Sequence, residues 1–255
     1  MALVALAAMF GGAILGFALG KIMPEKYRGA PTERIVQNAV RMISLLSLLV
    51  LGLLVASAKS KFDTSDSQSV HFAANLMLLN SELVNYGPET DDIKSLLKKF
   101  AVAEIAETWN LKNGPRPDAD DPPTLQLVES IQQKLLMMTP ASEYQRAMAR
   151  SASQIVADIV NARWLRSALV SDHSPQAFVW VLTAWLSILF VAFGLFAPPN
   201  LVTIAALLVC ALSMCGAIGL ILDLDKPFMG IVTVSPEPML YALAKISVSP
   251  LKRAK

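Results

Sequence analysis

Four long apolar runs dominate the chain, at residues 2–20, 40–58, 177–197 and 201–222; three hold no charge, and the second holds only Arg41. A helix of about 20 apolar residues spans the ~30 Å of hydrocarbon in a bilayer. A buried helix of a soluble protein reaches this length on occasion, but four such runs in one chain predict four membrane spans. Composition agrees: 54% of residues are hydrophobic and the mean hydropathy is +0.50, against about 45–50% apolar in a soluble domain. The first run has no basic residues before it and exceeds the ~7–15 apolar residues of a signal peptide, so a retained span is expected.

The runs fall in two pairs. Residues 21–34 form a short first connection with Pro24, Gly29 and Pro31. The third and fourth runs meet at APPN, residues 197–200, where two prolines interrupt the helix and Asn200 is suited to cap the next one. Residues 59–174 form a polar block with helical periodicity throughout. Phe72, Leu76, Leu79, Leu83 and Tyr86 alternate spacings of four and three; Ile93, Leu97 and Phe100 mark a second stripe; Val128, Ile131, Leu135 and Met138 mark a third. Pro140 is expected to open a fourth helix, with Met148, Ile155, Ile159, Ala162 and Leu169 on one side. Residues 113–123 read as a loop, and Ser174-Pro175 as the start of the third span. The expected fold is an all-α membrane protein, four transmembrane helices with a helical extramembrane bundle between the second and third. Its divisions fall at 1–58, 59–174, 175–222 and a tail, 223–255. No glycine or proline lies between Ala58 and Gly87. The second span is therefore predicted to run on as one helix through about Tyr86, with Lys59 and Lys61 reaching the headgroups at the bilayer surface.

Several residues are candidates for more than packing. Gly12, Gly16 and Gly20 make a doubled G-x-x-x-G, a groove along one helix face into which a second backbone can fit. Gly52, Ala56 and Ser60 repeat the small spacing in the second span, and Ala211, Cys215 and Gly219 in the fourth. Arg41 precedes Ser44 and Ser47 on roughly one side of the second span. They read either as a polar lining for an anion path or as an arginine reaching the headgroups above serines bonded back to the backbone; the second is the simpler reading. Asp223 and Asp225 follow the fourth span. Acids at a helix C-terminus oppose its dipole, so a cation is expected beside them, from Lys226, Arg41 or Lys59. Two carboxylates are weak candidates for a metal, and no metal or other cofactor is predicted. Cys210 and Cys215 sit five residues apart on one helix and cannot bridge each other locally. His71 and His173 lie far apart with no metal-ligand spacing, and no nucleotide-binding or hydrolase motif is present. A net charge of +2 gives no footprint for nucleic acid.

GLLVASAKSKFD (52–63), LMLLNSELVNYGPE (76–89) and the stretch from FGLFAPPN to LDLDKPFMGIVTVSPEPM (193–239) resemble the bacterial bestrophin-like domain family. The likeness covers most of the chain from residue 40 onward in order and spacing. It implies kinship to bestrophins, oligomeric anion channels with two membrane helices on either side of a helical block. Calcium-gated bestrophins carry a denser acidic cluster after the last membrane helix than Asp223 and Asp225 provide, so calcium gating is not implied.

Together these readings predict a non-enzymatic, multi-pass protein of the bacterial cytoplasmic membrane that assembles as a homo-oligomer and passes inorganic anions. Arg41, Lys59 and Lys61 would stand at the mouth of the path, with Ser44 and Ser47 further in. The alternative class is a non-conducting scaffold or sensor whose helical bundle binds a partner protein. Lys21, Lys26, Arg28 and Arg34 crowd the first connection, which by the positive-inside rule puts the bundle on the outer side. The resemblance and the basic tail Lys252-Arg253-Ala254-Lys255 argue for the inner side. The expectation taken here is the outer one.

Overall fold

The computed structural model describes residues 1–24, 30–109, 123–170 and 176–248. Among them the elements are α1 (Ala2–Ile22), α2 (Ala30–Tyr86), a 3-10 turn (Pro88–Thr90), α3 (Asp91–Trp109), α4 (Thr124–Leu136), α5 (Glu143–Val170), α6 (Gln176–Phe196), α7 (Leu201–Leu224) and α8 (Glu237–Ser247). The fold is all-helical. Lys26, Arg28, the loop 113–122, Ser174-Pro175 and the tail 252–255 lie outside the described residues. Two compact units are present, Met1–Phe62 with His173–Lys226, and Asp63–Asp172 with Pro227–Lys255.

α2 is one uninterrupted helix of 57 residues that belongs to both units. It ends at the first glycine or proline after Ala58. Gly87 adopts φ 133°, a conformation that a side chain disfavours. The buried Thr90 hydroxyl donates to the Leu83 carbonyl at 2.6 Å, satisfying an acceptor that the helix end would otherwise orphan.

The first unit contains α1, the first part of α2, α6 and α7, which among the described residues are the four helices long and apolar enough to cross a membrane. Its interior gathers Ala5, Met9 and Ala13 of α1, Leu54 and Ala58 of α2, Leu182 and Phe190 of α6, and Ile218 and Ile221 of α7. Its outer surface is equally apolar: Leu3, Ile14, Leu45, Leu49, Leu53, Val202 and Val209 are all exposed. Soluble proteins rarely expose contiguous apolar area on this scale, whereas hydrocarbon accepts it without cost. The chain is a membrane protein. α6 and α7 are joined by the short APPN turn, and Asn200 Oδ1 accepts the Thr203 N–H at 2.8 Å as the N-cap of α7.

The second unit has its own core. Phe72, Leu76, Leu79 and Leu83 of α2 meet Leu97 and Phe100 of α3, Val128 and Ile131 of α4, and Val156 and Ile159 of α5. Three expectations change here. α5 begins at Glu143, not at Pro140, because Ser142 Oγ accepts the Gln145 N–H at 3.1 Å while Gln145 Oε1 accepts the Ala141 N–H at 2.9 Å, an N-terminal cap that overrides the proline. The face α5 buries is Ala152, Val156 and Ile159, with Met148, Ile155 and Ala162 at its edges. Its smallest core residue, Ala152, hides the true centre of the stripe from a reading based on bulky side chains. Finally, residues 223–255 are more than a tail. α8 places Met239, Ala242 and Ile246 in this core. Trp109 donates its indole N–H to the Val234 carbonyl at 2.8 Å and packs edge-on against Phe228 at 5.4 Å.

Candidate functional site

Arg41 and Lys59 lie 18 residues apart on α2, five turns of 3.6 residues, and so share one side of the helix. Both are exposed, as are Gly52, Ala56 and Ser60 between and beside them. A methyl group added at Gly52 would meet nothing within 4 Å. The small-residue stripe of the second span therefore faces outward, not into its own unit. Ser44 and Ser47 do not join it. The Ser44 hydroxyl donates to the Val40 carbonyl at 2.8 Å, and Ser47, 4% exposed, points into the unit's interior. Arg41, Ser44 and Ser47 thus do not share one side of α2, because steps of three residues carry the two serines progressively round toward the packed face.

At the other end of the apolar stretch, Lys61 Nζ donates to Asp225 Oδ1 at 2.8 Å, with the lysine 39% and the carboxylate 12% exposed. For Asp225 this supplies the cation that acids beyond a helix C-terminus require, and it comes from Lys61, which was not among the cations expected from the sequence. Lys59 Nζ lies 5.9 Å from the centre of the Phe62 ring. Among the described residues no three of His, Cys, Asp and Glu gather as a metal site; Asp225 spends its charge on a lysine.

Gly12, Gly16 and Gly20 meet α6 of the same chain. A Cβ at Gly12 would lie 2.8 Å from the Ser187 carbonyl oxygen and one at Gly20 3.0 Å from that of Leu195. One at Gly16 would run into the Val191 carbonyl. The contact is reciprocal: a Cβ at Gly194 would run into the Ala13 carbonyl. Gly194 went unnoticed in the sequence because no second small residue flanks it at four-residue spacing on its N-terminal side. The third stripe, in α7, is looser. A Cβ at Gly219 would lie 3.8 Å from the Ala2 methyl, and the Cys215 thiol donates to the Ala2 carbonyl at 3.2 Å.

In the second unit, Glu104 is 1% exposed and ion-paired with both Arg163 and Arg166. The two guanidiniums also lie over the Phe100 and Phe72 rings, at 5.8 and 5.6 Å. The alternation of acids and bases in this block suggests a solvated face in sequence; at Glu104 the structure corrects it. A position i−4 from one aromatic-flanked acid could have hinted at burial, since Phe100 and Glu104 share a helix side, but the arginines come from a helix 59 and 62 residues away.

The sequence model of the family described as Bestrophin-like domain matches residues 6–239. No curated protein matches the sequence significantly. Among solved structures, a bacterial bestrophin homologue from Klebsiella pneumoniae superposes with a TM-score of 0.67 at 14% identity, covering 96% of this chain and 97% of that one. A single-residue variant of that protein gives 0.68 at 14% identity over 96% and 95%. A crystal structure described as a membrane protein gives 0.67 at 13% identity over 96% of each chain. At this identity the likeness is one of fold.

Proposed function

We propose, for a chain that belongs to the Bestrophin-like domain family, that it forms a homo-oligomeric channel through which inorganic anions cross a bacterial cytoplasmic membrane. The observation that carries this reading is the outward face of α2. Within the bilayer it presents Gly52 and Ala56, with open space over the glycine, and it ends at Lys59, an exposed residue whose Nζ lies over the Phe62 ring. Small residues let copies of a helix surround a narrow axis closely. A ring of lysines at its end concentrates anions and repels cations. Lys61 contributes differently: its pairing with Asp225 fixes the end of α7 against α2. Conduction would be passive and would need no catalytic group.

The test is flux. Purified protein in liposomes is expected to pass chloride down its gradient. Lys59→Glu should lower the anion-to-cation preference roughly tenfold, about 1.4 kcal/mol in relative barrier. Lys61→Glu sets a second carboxylate beside Asp225 and should lower thermal stability before it alters selectivity. An assembled oligomer that passes neither anions nor cations would remove the channel reading. Flux with unchanged selectivity in Lys59→Glu would keep the channel and remove the lysine from its mouth.

Sidedness has its own measurement. With Cys210 and Cys215 replaced by alanine, a cysteine at the exposed Gln133 of α4 reports the position of the second unit. The charge of the first connection leads us to expect labelling by a membrane-impermeant maleimide in intact cells; protection until lysis would place the unit in the cytoplasm.

A further inference from the structure

The first unit holds a groove of about 830 Å³ between the start of α2, the end of α6 and the start of α7. Its depth is apolar, walled by Val40, Phe193, Ala206 and Leu207, and Cys210 opens into it. Its polar groups are Arg41, then Gln37 and Glu33 one and two turns outward along α2, and Thr203 in the first turn of α7. All three helix ends belong to the APPN side of the spans, so the polar end lies at the bilayer surface and the apolar end within the hydrocarbon. We infer that this groove holds one phospholipid bearing an ammonium headgroup, its acyl chain along Ala206 and Leu207, its phosphate on Arg41 and its ammonium toward Glu33.

Three features favour this occupant. The volume falls within the roughly 300–1,000 Å³ of pockets that hold small molecules. The apolar-to-polar order along the groove runs in the direction in which a lipid lies in the same leaflet. The charges are of both signs and in the right sequence. Helical side chains lean toward the N-terminus, so Arg41 presents its guanidinium outward, where it can grip a phosphate in two-pronged fashion. Beyond it Glu33, whose Oε1 accepts the Gln37 amide N–H at 3.0 Å, offers a carboxylate. A carboxylate at this point opposes a headgroup of net negative charge and attracts an ammonium. The inference does not depend on conduction, since lipid retention is read without ion flux.

Native mass spectrometry of the full chain, delipidated in detergent and titrated with phosphatidylethanolamine, phosphatidylglycerol or diacylglycerol, tests it. One phosphatidylethanolamine per chain is expected to be retained most strongly and diacylglycerol least. Arg41→Gln should weaken phosphatidylethanolamine binding about tenfold or more. Glu33→Gln should shift the preference toward phosphatidylglycerol. Ala206→Trp should fill the groove and abolish retention, while Val209→Trp, on an exposed face outside it, should not. Alkylation of Cys210 by N-ethylmaleimide gives a second readout that needs no variant: added phosphatidylethanolamine should slow it. Equal retention of all three lipids in the wild type and in Arg41→Gln would overturn the proposal. So would Cys210 protection that persists without lipid and rises with chain concentration, which would mean that a second copy fills the groove.

Discussion

Gly16→Leu is expected to destroy the packing of the first unit. The backbones of α1 and α6 approach so closely that even a methyl group at Gly16 would overlap the Val191 carbonyl, with the Leu195 N and Gly194 Cα next in line. These obstacles are backbone atoms, so they cannot rotate aside; the helices must separate. Separation would also pull Gly194 away from Ala13 and open the contacts of Gly12 and Gly20 on either side. Overpacking of a tight core costs about 1–3 kcal/mol for added methylenes. Gly16→Ala should fall in that range, and Gly16→Leu should exceed it and abolish monodisperse protein in detergent. The comparison that isolates the cause is Gly11, one helix face away, where an added Cβ meets nothing within 4 Å. Gly11→Leu should leave the melting temperature nearly unchanged. Equal melting temperatures for Gly16→Ala and wild type, with equal oligomeric state, would show that the two helices can part without loss.

Glu104→Ala is expected to destabilise the second unit by about 3–5 kcal/mol. The carboxylate is buried and answers two arginines, Arg163 and Arg166, whose side chains are only 18% and 29% exposed. Its removal leaves two like charges close together over the Phe100 and Phe72 rings, with only the exposed Glu107, 3.8 Å from Arg163, to offset their lost hydration. Coulombic attraction in such a site does not by itself make the trio favourable, because all three groups were taken out of water. The triple variant Glu104→Met, Arg163→Leu, Arg166→Leu should therefore recover most of the stability, or exceed the wild type. Thermal melts of the full chain in detergent decide both outcomes. A Glu104→Ala protein within about 1 kcal/mol of wild type would mean that water reaches the arginines freely. Because the pairs are mostly buried, their contribution should change little between low and high salt, unlike that of the exposed Lys134–Asp92 pair on the same unit.

What the sequence determined by itself was whatever depends on neighbours along the chain. Length and hydropathy define the four spans, since a bilayer imposes one dimension on every helix that crosses it. The absence of a breaker between Ala58 and Gly87 makes α2 continuous, and Gly87-Pro88 stops it. Asn200 caps α7 through a bond to Thr203, three residues on. The glycine spacing at 12, 16 and 20 marks a face made for close approach. Tertiary structure alone decided which groups meet across long separations. The glycine face of α1 finds α6, through a Gly194 that carries no repeat of its own. Asp225 finds Lys61, 164 residues away, though Lys226, Arg41 and Lys59 were the partners expected. Ser44 and Ser47 turn inward while Arg41 and Lys59 stay out. Glu104 looks like any surface acid until α5 closes over it, and α8 looks like a tail until Met239, Ala242 and Ile246 enter the core. A side chain's periodicity specifies that it is to be covered. The identity of its cover is set by the packing of all the helices at once, which no local pattern encodes.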